Sequence, residues 1–348
     1  MTDVPVTPIA SGESSWNALQ QLMASRMPEK INGFVFCNAL FAFTESKLLD
    51  DIRSSEDHTL DIAAAAERHG YSPQQASGLV RYLATQGMFR EEREDLFRLT
   101  PMGESMLSKV AVGWLRLVRG GYGHIMLEAG KLLDGSAVYG ENITRDGFYV
   151  GSGSSQFTSE IRDEVGYNVI NRVGGKTIAD LGCGSATFLI KYLLAHPDRH
   201  GIAIDIDDGS ISSARAAVAE AGLESRLKVV QCDAFDAAEL AKHCGDADIF
   251  FSFAMEHEIL RGGEQAVIDH MDSMSEHFPG KRFVVGEAVN PIDQRTGTLY
   301  WFHIISAQGM PRDVDGWKRI LSGLKRAKLN EVFVPDYGPQ AAYYDIAL

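Results

Sequence analysis

The segment Ala179–Ile190, ADLGCGSATFLI, constrains the fold more than any other stretch of this chain. It opens on an apolar run, turns through Gly182 and Gly184, and closes in a helical pattern. Glycines at such a turn let the backbone bend tightly and let a ligand approach without meeting a Cβ. From Lys176 onward the alternation continues: TIADLGC, SATFLIKYLLAH, HGIAIDID, ISSARAAVAEAG, RLKVVQCD, a short helix, DADIFFSFAM, a helix over Gly263–Phe278, and RFVVGEAV. Strands alternating with helices predict an α/β, Rossmann-like parallel sheet covered on both faces. A helix over Val314–Lys328 and the extended pieces EVFVPD and AAYYDIA are expected to close it with an antiparallel pair.

At 348 residues the chain exceeds what one core usually serves, so a second domain is expected. Its signature is TLDIAAAAERHGYSPQQASGLVRYLATQGMFREEREDLFRLTP. Thr59 is the expected cap of a helix carrying Ile62, Ala63 and Ala66, which His69-Gly70 stops; Ser72-Pro73 starts a second helix. Two short strands follow, around Met88–Glu91 and Leu96–Leu99, which completes a mainly helical, winged-helix domain. The expected boundaries are 1–108 for this domain, 109–173 for a helical connector and 174–348 for the sheet domain. Within the connector, GFYVGSGSSQF reads as a loop, either a turn or a pocket lid.

Winged helices often read DNA, and a ligand-sensing regulator is therefore the alternative from a different functional class. Against it stand a formal charge of −14, a recognition helix whose cation is Arg81, and a wing of mixed sign, Arg90-Glu91-Glu92-Arg93-Glu94-Asp95. The same charge disfavours anionic membranes, and neither an export signal nor a membrane-spanning apolar run is present in the sequence. We therefore expect a cytoplasmic protein that binds neither nucleic acid nor membrane. The apolar helices Leu19–Met27 and Ile31–Leu48 offer a two-fold interface instead. Cys37, Cys183, Cys232 and Cys244 lack the spacing of metal fingers or redox pairs and read as reduced thiols.

Three acids mark a site at successive strand ends. Asp180 precedes the glycine turn, where it would repel a diphosphate and suits a cationic ligand. Asp205, in IAIDID, stands where a carboxylate can accept from both hydroxyls of a ribose. Asp233, in QCDAFD, can accept from an adenine amino group, with Ala234 beside it and Phe235 able to pack on the ring. These motifs, DLGCG, IAIDID and QCDAF, resemble those of class I S-adenosylmethionine-dependent methyltransferases. A winged-helix domain before such a sheet is similar to the small-molecule O-methyltransferases of plants and bacteria, which dimerise through it. The resemblance implies S-adenosyl-L-methionine as cofactor, bound by Asp180, Gly182, Gly184, Asp205, Asp233, Ala234 and Phe235. It also implies a small-molecule acceptor, a homodimer, and a setting in secondary metabolism.

A methyl sulfonium is already activated, so the protein must place a nucleophile in line with it and manage one proton. Glu256-His257-Glu258 follows the fourth strand, where the O-methyltransferases carry a His-Asp pair whose histidine is the general base. Further on, LYWFHIISAQGMPRDVDGW presents His303 toward the same pocket. Two imidazoles and a carboxylate can hold one divalent metal, iron or zinc, with positions left for a chelating substrate. That set is similar to the metal-dependent 2-oxo acid C-methyltransferases. Two chemistries are therefore open. The first is C-methylation beside a keto group, with His257 and His303 as metal ligands, Glu258 as a third ligand or as an orienter of the ligands, and Glu256 as a weaker candidate. The second is metal-free O-methylation with His257 as base. Tyr300, Ser306 and Gln308 are expected on the acceptor side; Phe302 reads as packing and Arg312 as a solvated cation.

Overall fold

The computed structural model describes residues 13–289, 297–307, 313–336 and 341–348. Gln308 and Arg312 lie outside these residues. Two compact units divide at Gly120/Gly121, so residues 109–173 are shared between them.

In the first unit, helices Glu13–Ala24 and Met27–Thr44 precede a winged helix. Its strands β1 (Thr59–Asp61), β2 (Phe89–Arg93) and β3 (Leu96–Leu99) pair antiparallel in the order β1-β3-β2. Because Thr59 is drawn into β1, the cap of the next helix moves to Asp61, whose carboxylate accepts from Ala64 N at 3.0 Å. Ser72 caps Pro73–Thr85 as expected. Arg81, on that helix, donates to Glu91 at 2.7 Å and to Asp95 at 3.1 Å, and Arg98 pairs with Glu92 and Asp57. The face is thus built of opposed charges. Leu40, Phe43, Ile62, Val80, Leu83 and Phe97 form the core, whereas Leu19, Leu22, Met23, Ile31, Phe34 and Val35 stay exposed along the first two helices.

The second unit begins with short helical turns and then the helix Gly147–Val173. The glycine- and serine-rich stretch that reads as a loop is the start of this helix. Asp146 caps it by accepting from Tyr149 N at 3.2 Å, and its later turns bury Val169 and Ile170 against the sheet domain. Gly166 lets it pack closely, since a Cβ there would lie 3.2 Å from the rings of Phe188 and Phe251. Packing of this kind overrides weak helix propensity.

The sheet comprises β4 (Thr177–Leu181), β5 (His200–Asp205), β6 (Leu227–Gln231), β7 (Ile249–Phe253), β8 (Arg282–Ala288), β9 (Lys328–Phe333) and β10 (Ala341–Ala347). Their order is β6-β5-β4-β7-β8-β10-β9, with the first five parallel and β10 antiparallel to both β8 and β9. The last helix stops at Leu321, short of the expected Lys328, which already belongs to β9. Helices Thr187–Ala195 and Asp208–Glu220 cover one face, and Glu264–His277 and Val314–Leu321 cover the other. Phe251 stacks on Phe188 with ring centres 4.5 Å apart in the first of these cores; truncating such a ring to alanine costs about 3–5 kcal/mol. Among the described residues, no helix is long and apolar enough to cross a membrane.

Candidate active site

Strand order reverses between β4 and β7, because the chain leaves β4 toward β5 on one side and later returns to β7 on the other. Ligand crevices of open α/β sheets form at the carboxyl ends of strands flanking such a switch. Two loops meet there: the glycine turn after β4 and the 3-10 turn Glu256–Gly262 after β7.

Gly182 and Gly184 take φ of 72° and 55°, the left-handed region that glycine tolerates without strain. Open space surrounds the Cβ position of Gly184, while one on Gly182 would lie 3.4 Å from Met255 Sδ, at the start of the second loop. Asp205 holds this turn: its Oδ2 accepts from Gly184 N at 2.8 Å and its Oδ1 from Asp207 N at 3.0 Å. Asp233 accepts from Phe235 N at 2.9 Å; Ala234 is buried and Phe235 is exposed at the crevice. Asp180 is buried, and burial, against the pull of Arg162, pushes its carboxyl up to about 7. A cation arriving beside it would favour its charged form. The seven expected cofactor residues therefore lie at or just beyond the carboxyl ends of the adjacent strands β4, β5 and β6. Asp205 braces the turn through Gly184 N, and the acids suit a positively charged nucleoside.

Across the switch, His257 donates from Nδ1 to Glu287 Oε2 at 3.0 Å, and its backbone N–H donates to Glu287 Oε1 at 3.1 Å. This carboxylate lies in β8, buried among apolar strand residues, and fixes both the ring and its tautomer. Burial alone would push the imidazole down, but Glu287, with Glu258 assisting, leaves it above its ordinary value. His303 approaches edge-on, with ring centres 5.0 Å apart and planes at 77°. Its Nδ1 donates to the Leu299 carbonyl at 2.6 Å, and burial pushes it down to about 4. Phe302 is packed, stacking on Tyr122 at 4.3 Å. Ser306 is buried and donates to the Phe302 carbonyl at 2.7 Å, Tyr300 is half-buried, and Trp301 is more open.

Glu258 corrects the metal expectation. Its Oε1 accepts from Arg145 at 2.6 Å and its Oε2 from Arg261 at 3.4 Å. Each oxygen is engaged by a guanidinium, which places positive charge where a cation would sit. Among the described residues, no group of three or more His, Cys, Asp or Glu side chains could hold a metal. Glu256 is also committed elsewhere, fully buried with His270 Nδ1 3.1 Å from its Oε2. The residues present do not fit the proposed ion.

Sequence reasoning passed over Glu287, Arg145 and His270. A carboxylate within the apolar strand RFVVGEAV was the available signal for Glu287, because a buried charge needs a partner. No comparable signal marked Arg145, which lies 113 residues from Glu258.

Comparison with known proteins places two families on the chain: the O-methyltransferase dimerisation domain over residues 29–109 and a methyltransferase domain over 178–274. O-methyltransferase SfmM3 of Streptomyces lavendulae is 30% identical over 201 residues, 51% of this chain and 57% of that protein. The 2,7-dihydroxy-5-methyl-1-naphthoate 7-O-methyltransferase of Streptomyces carzinostaticus is 27% identical over 208 residues, 55% of this chain and 61% of that protein. The chain thus spans less than two thirds of the length of these curated relatives. Among solved structures, OxaC in complex with SAH and oxaline matches with a TM-score of 0.69 at 14% identity, covering 96% of this chain and 91% of that one. That match shows a shared fold.

Proposed function

The chain belongs to the class I S-adenosylmethionine-dependent methyltransferases with an N-terminal O-methyltransferase dimerisation domain, and on that premise we propose that it methylates a hydroxyl of a small organic molecule. The observation that carries this reading is the His257–Glu287 pair at the strand-order switch. Glu287 engages Nδ1, which leaves Nε2 as the proton-accepting nitrogen, on the loop after β7 across the switch from the glycine turn. When bound there, S-adenosylmethionine supplies an activated methyl group, so the protein's task is placement and proton removal.

Asp205 and Asp233 would accept from the ribose hydroxyls and the adenine amino group, with Phe235 against the ring and the Gly182–Gly184 turn beneath the amino-acid end. Asp180, buried behind that turn, favours positive charge. His257 Nε2 would take the hydroxyl proton as the oxygen attacks. Glu287 keeps Nδ1 protonated and stabilises the imidazolium that forms. Arg145 pairs with Glu258, whose Oε1 lies 3.7 Å from His257 Nε2, and offsets part of the negative charge on that side of the ring. The O-methyltransferase names of both curated relatives and the SAH in a fold neighbour support this reading. Among the described residues no donor set is assembled for a metal-assisted attack by carbon. The exposed apolar residues on the first two helices, together with the dimerisation-domain match, support a homodimer through the first unit.

The test supplies methyl-labelled S-adenosylmethionine with a panel of phenols and 2-oxo acids and locates the label by mass spectrometry. Label on oxygen, lost in His257→Ala while SAH still binds, is the expected result. Label on carbon, or activity that persists in His257→Ala, would refute it.

A further inference from the structure

The helix Gly297–Ile305, GTLYWFHII, is apolar apart from Tyr300 and its threonine, yet it sets His303 edge-on against His257. A carbonyl oxygen only accepts, so the 2.6 Å contact with Leu299 O requires the His303 proton to be on Nδ1. In the neutral ring this leaves a lone pair on Nε2. His257 is fixed in the same tautomer, because its Nδ1 donates to the Glu287 carboxylate. In the neutral rings two Nε2 acceptors therefore occupy neighbouring imidazoles, that of His257 with Glu258 Oε1 3.7 Å away, and no described residue donates a hydrogen bond to either. Arg145, the nearby cation, donates instead to Glu258 and to the Tyr122 hydroxyl at 3.1 Å.

We propose that His303 is a specificity residue, selecting acceptors that carry a second donor, a hydroxyl or an amine, on the carbon next to the hydroxyl that is methylated. The proposal rests on the hydroxyl-acceptor reading above. With ring centres 5.0 Å apart, one small acceptor can reach both imidazoles through groups on adjacent carbons. An acceptor with one hydroxyl satisfies His257 and leaves His303 desolvated and unpaired, which costs binding. In the reaction the hydroxyl proton passes to His257 Nε2, the oxygen–methyl bond forms as the sulfur–methyl bond breaks, and the sulfonium becomes a neutral thioether. The neighbouring donor stays on His303 throughout. The mono-ether product can no longer satisfy both imidazoles, because its ether oxygen has no proton to give. A 1,2-diol should therefore receive one methyl group and not two.

The experiment measures kcat/KM of the full-length protein for matched benzenes and naphthalenes bearing one hydroxyl, 1,2-hydroxyls, 1,4-hydroxyls, or a hydroxyl beside a methoxy group. The 1,2-diol should exceed the single hydroxyl by about tenfold or more, and the methoxy compound should be a poor substrate. In His303→Leu that ratio should fall toward one, because the 1,2-diol loses its second partner and the single hydroxyl no longer leaves an imidazole unpaired, and His303→Gln, whose amide oxygen still accepts, should recover part of it. SAH binding by calorimetry verifies that each variant is folded. If a variant does not fold, the wild-type contrast between 1,2-diol and methoxy compound decides. A preference that survives His303→Leu, equal rates for 1,2- and 1,4-diols, or a stoichiometric divalent metal lost in His303→Leu would overturn the proposal. Failure to methylate any hydroxyl while SAH binds would instead overturn the hydroxyl-acceptor reading itself.

Discussion

Replacing His270 with alanine removes one half of the buried Glu256–His270 pair and should destabilise the second unit substantially. Glu256 is fully buried; besides His270 Nδ1 at 3.1 Å, only Ser252 Oγ, at 3.5 Å, lies within bonding reach of it among the hydrogen bonds described. Breaking a buried ion pair by deleting one partner costs about 3–5 kcal/mol, because the remaining charge is left without compensation. For a unit the size of Gly121–Leu348, each kcal/mol moves the melting temperature by about 2–4 °C, which gives a loss of roughly 6–20 °C. The pair also has a pH signature. Burial pushes His270 down, but Glu256 more than reverses this and raises it above 6.5. A group raised in the folded state contributes its full stabilisation below its unfolded pKa and loses it as pH rises through the folded value. The wild-type melting temperature should therefore fall as pH rises from about 6.5. A Glu256→Leu/His270→Leu double variant should lack that component and be more stable than His270→Ala. Scanning calorimetry of the intact chain across this pH range measures both effects. A loss under about 4 °C in His270→Ala, or a double variant no better than the single one, would refute the ion-pair account.

Other perturbations probe the site directly. His257→Ala should lower kcat by about 10²–10⁴-fold, with SAH affinity retained in calorimetry. Because Glu287 holds His257 above its ordinary value, the acid limb of kcat/KM should lie above about 6.5; Glu287→Gln should move that limb to lower pH, since the raising charge is gone. Asp205→Asn should weaken SAH binding about 10- to 100-fold, through lost charge-assisted bonds and a loosened Gly184 turn.

The features readable from sequence are those that local chemistry dictates. Gly182 and Gly184 bracket a turn that needs left-handed backbone, and the alternation of strands with helices ties Asp180, Asp205 and Asp233 to the ends of adjacent strands whatever the distant chain does. Serine and aspartate caps behave the same way, although Thr59 yielded its place to Asp61 once strand pairing claimed it. Where packing competes with propensity, the reading fails: the glycine-rich GFYVGSGSSQF becomes helix because the helix it starts has a face to bury. The partners of the acceptor-side residues come only from tertiary contacts. Arg145, from 113 residues away, engages the Glu258 carboxylate that would complete a metal site with His257 and His303. Glu287 likewise reaches His257 across 30 residues of chain. Sequence names the groups that carry charge, but burial and the partner met in three dimensions determine whether such a group is a base, a ligand or a brace, because electrostatic energy depends on distance and desolvation and not on position along the chain.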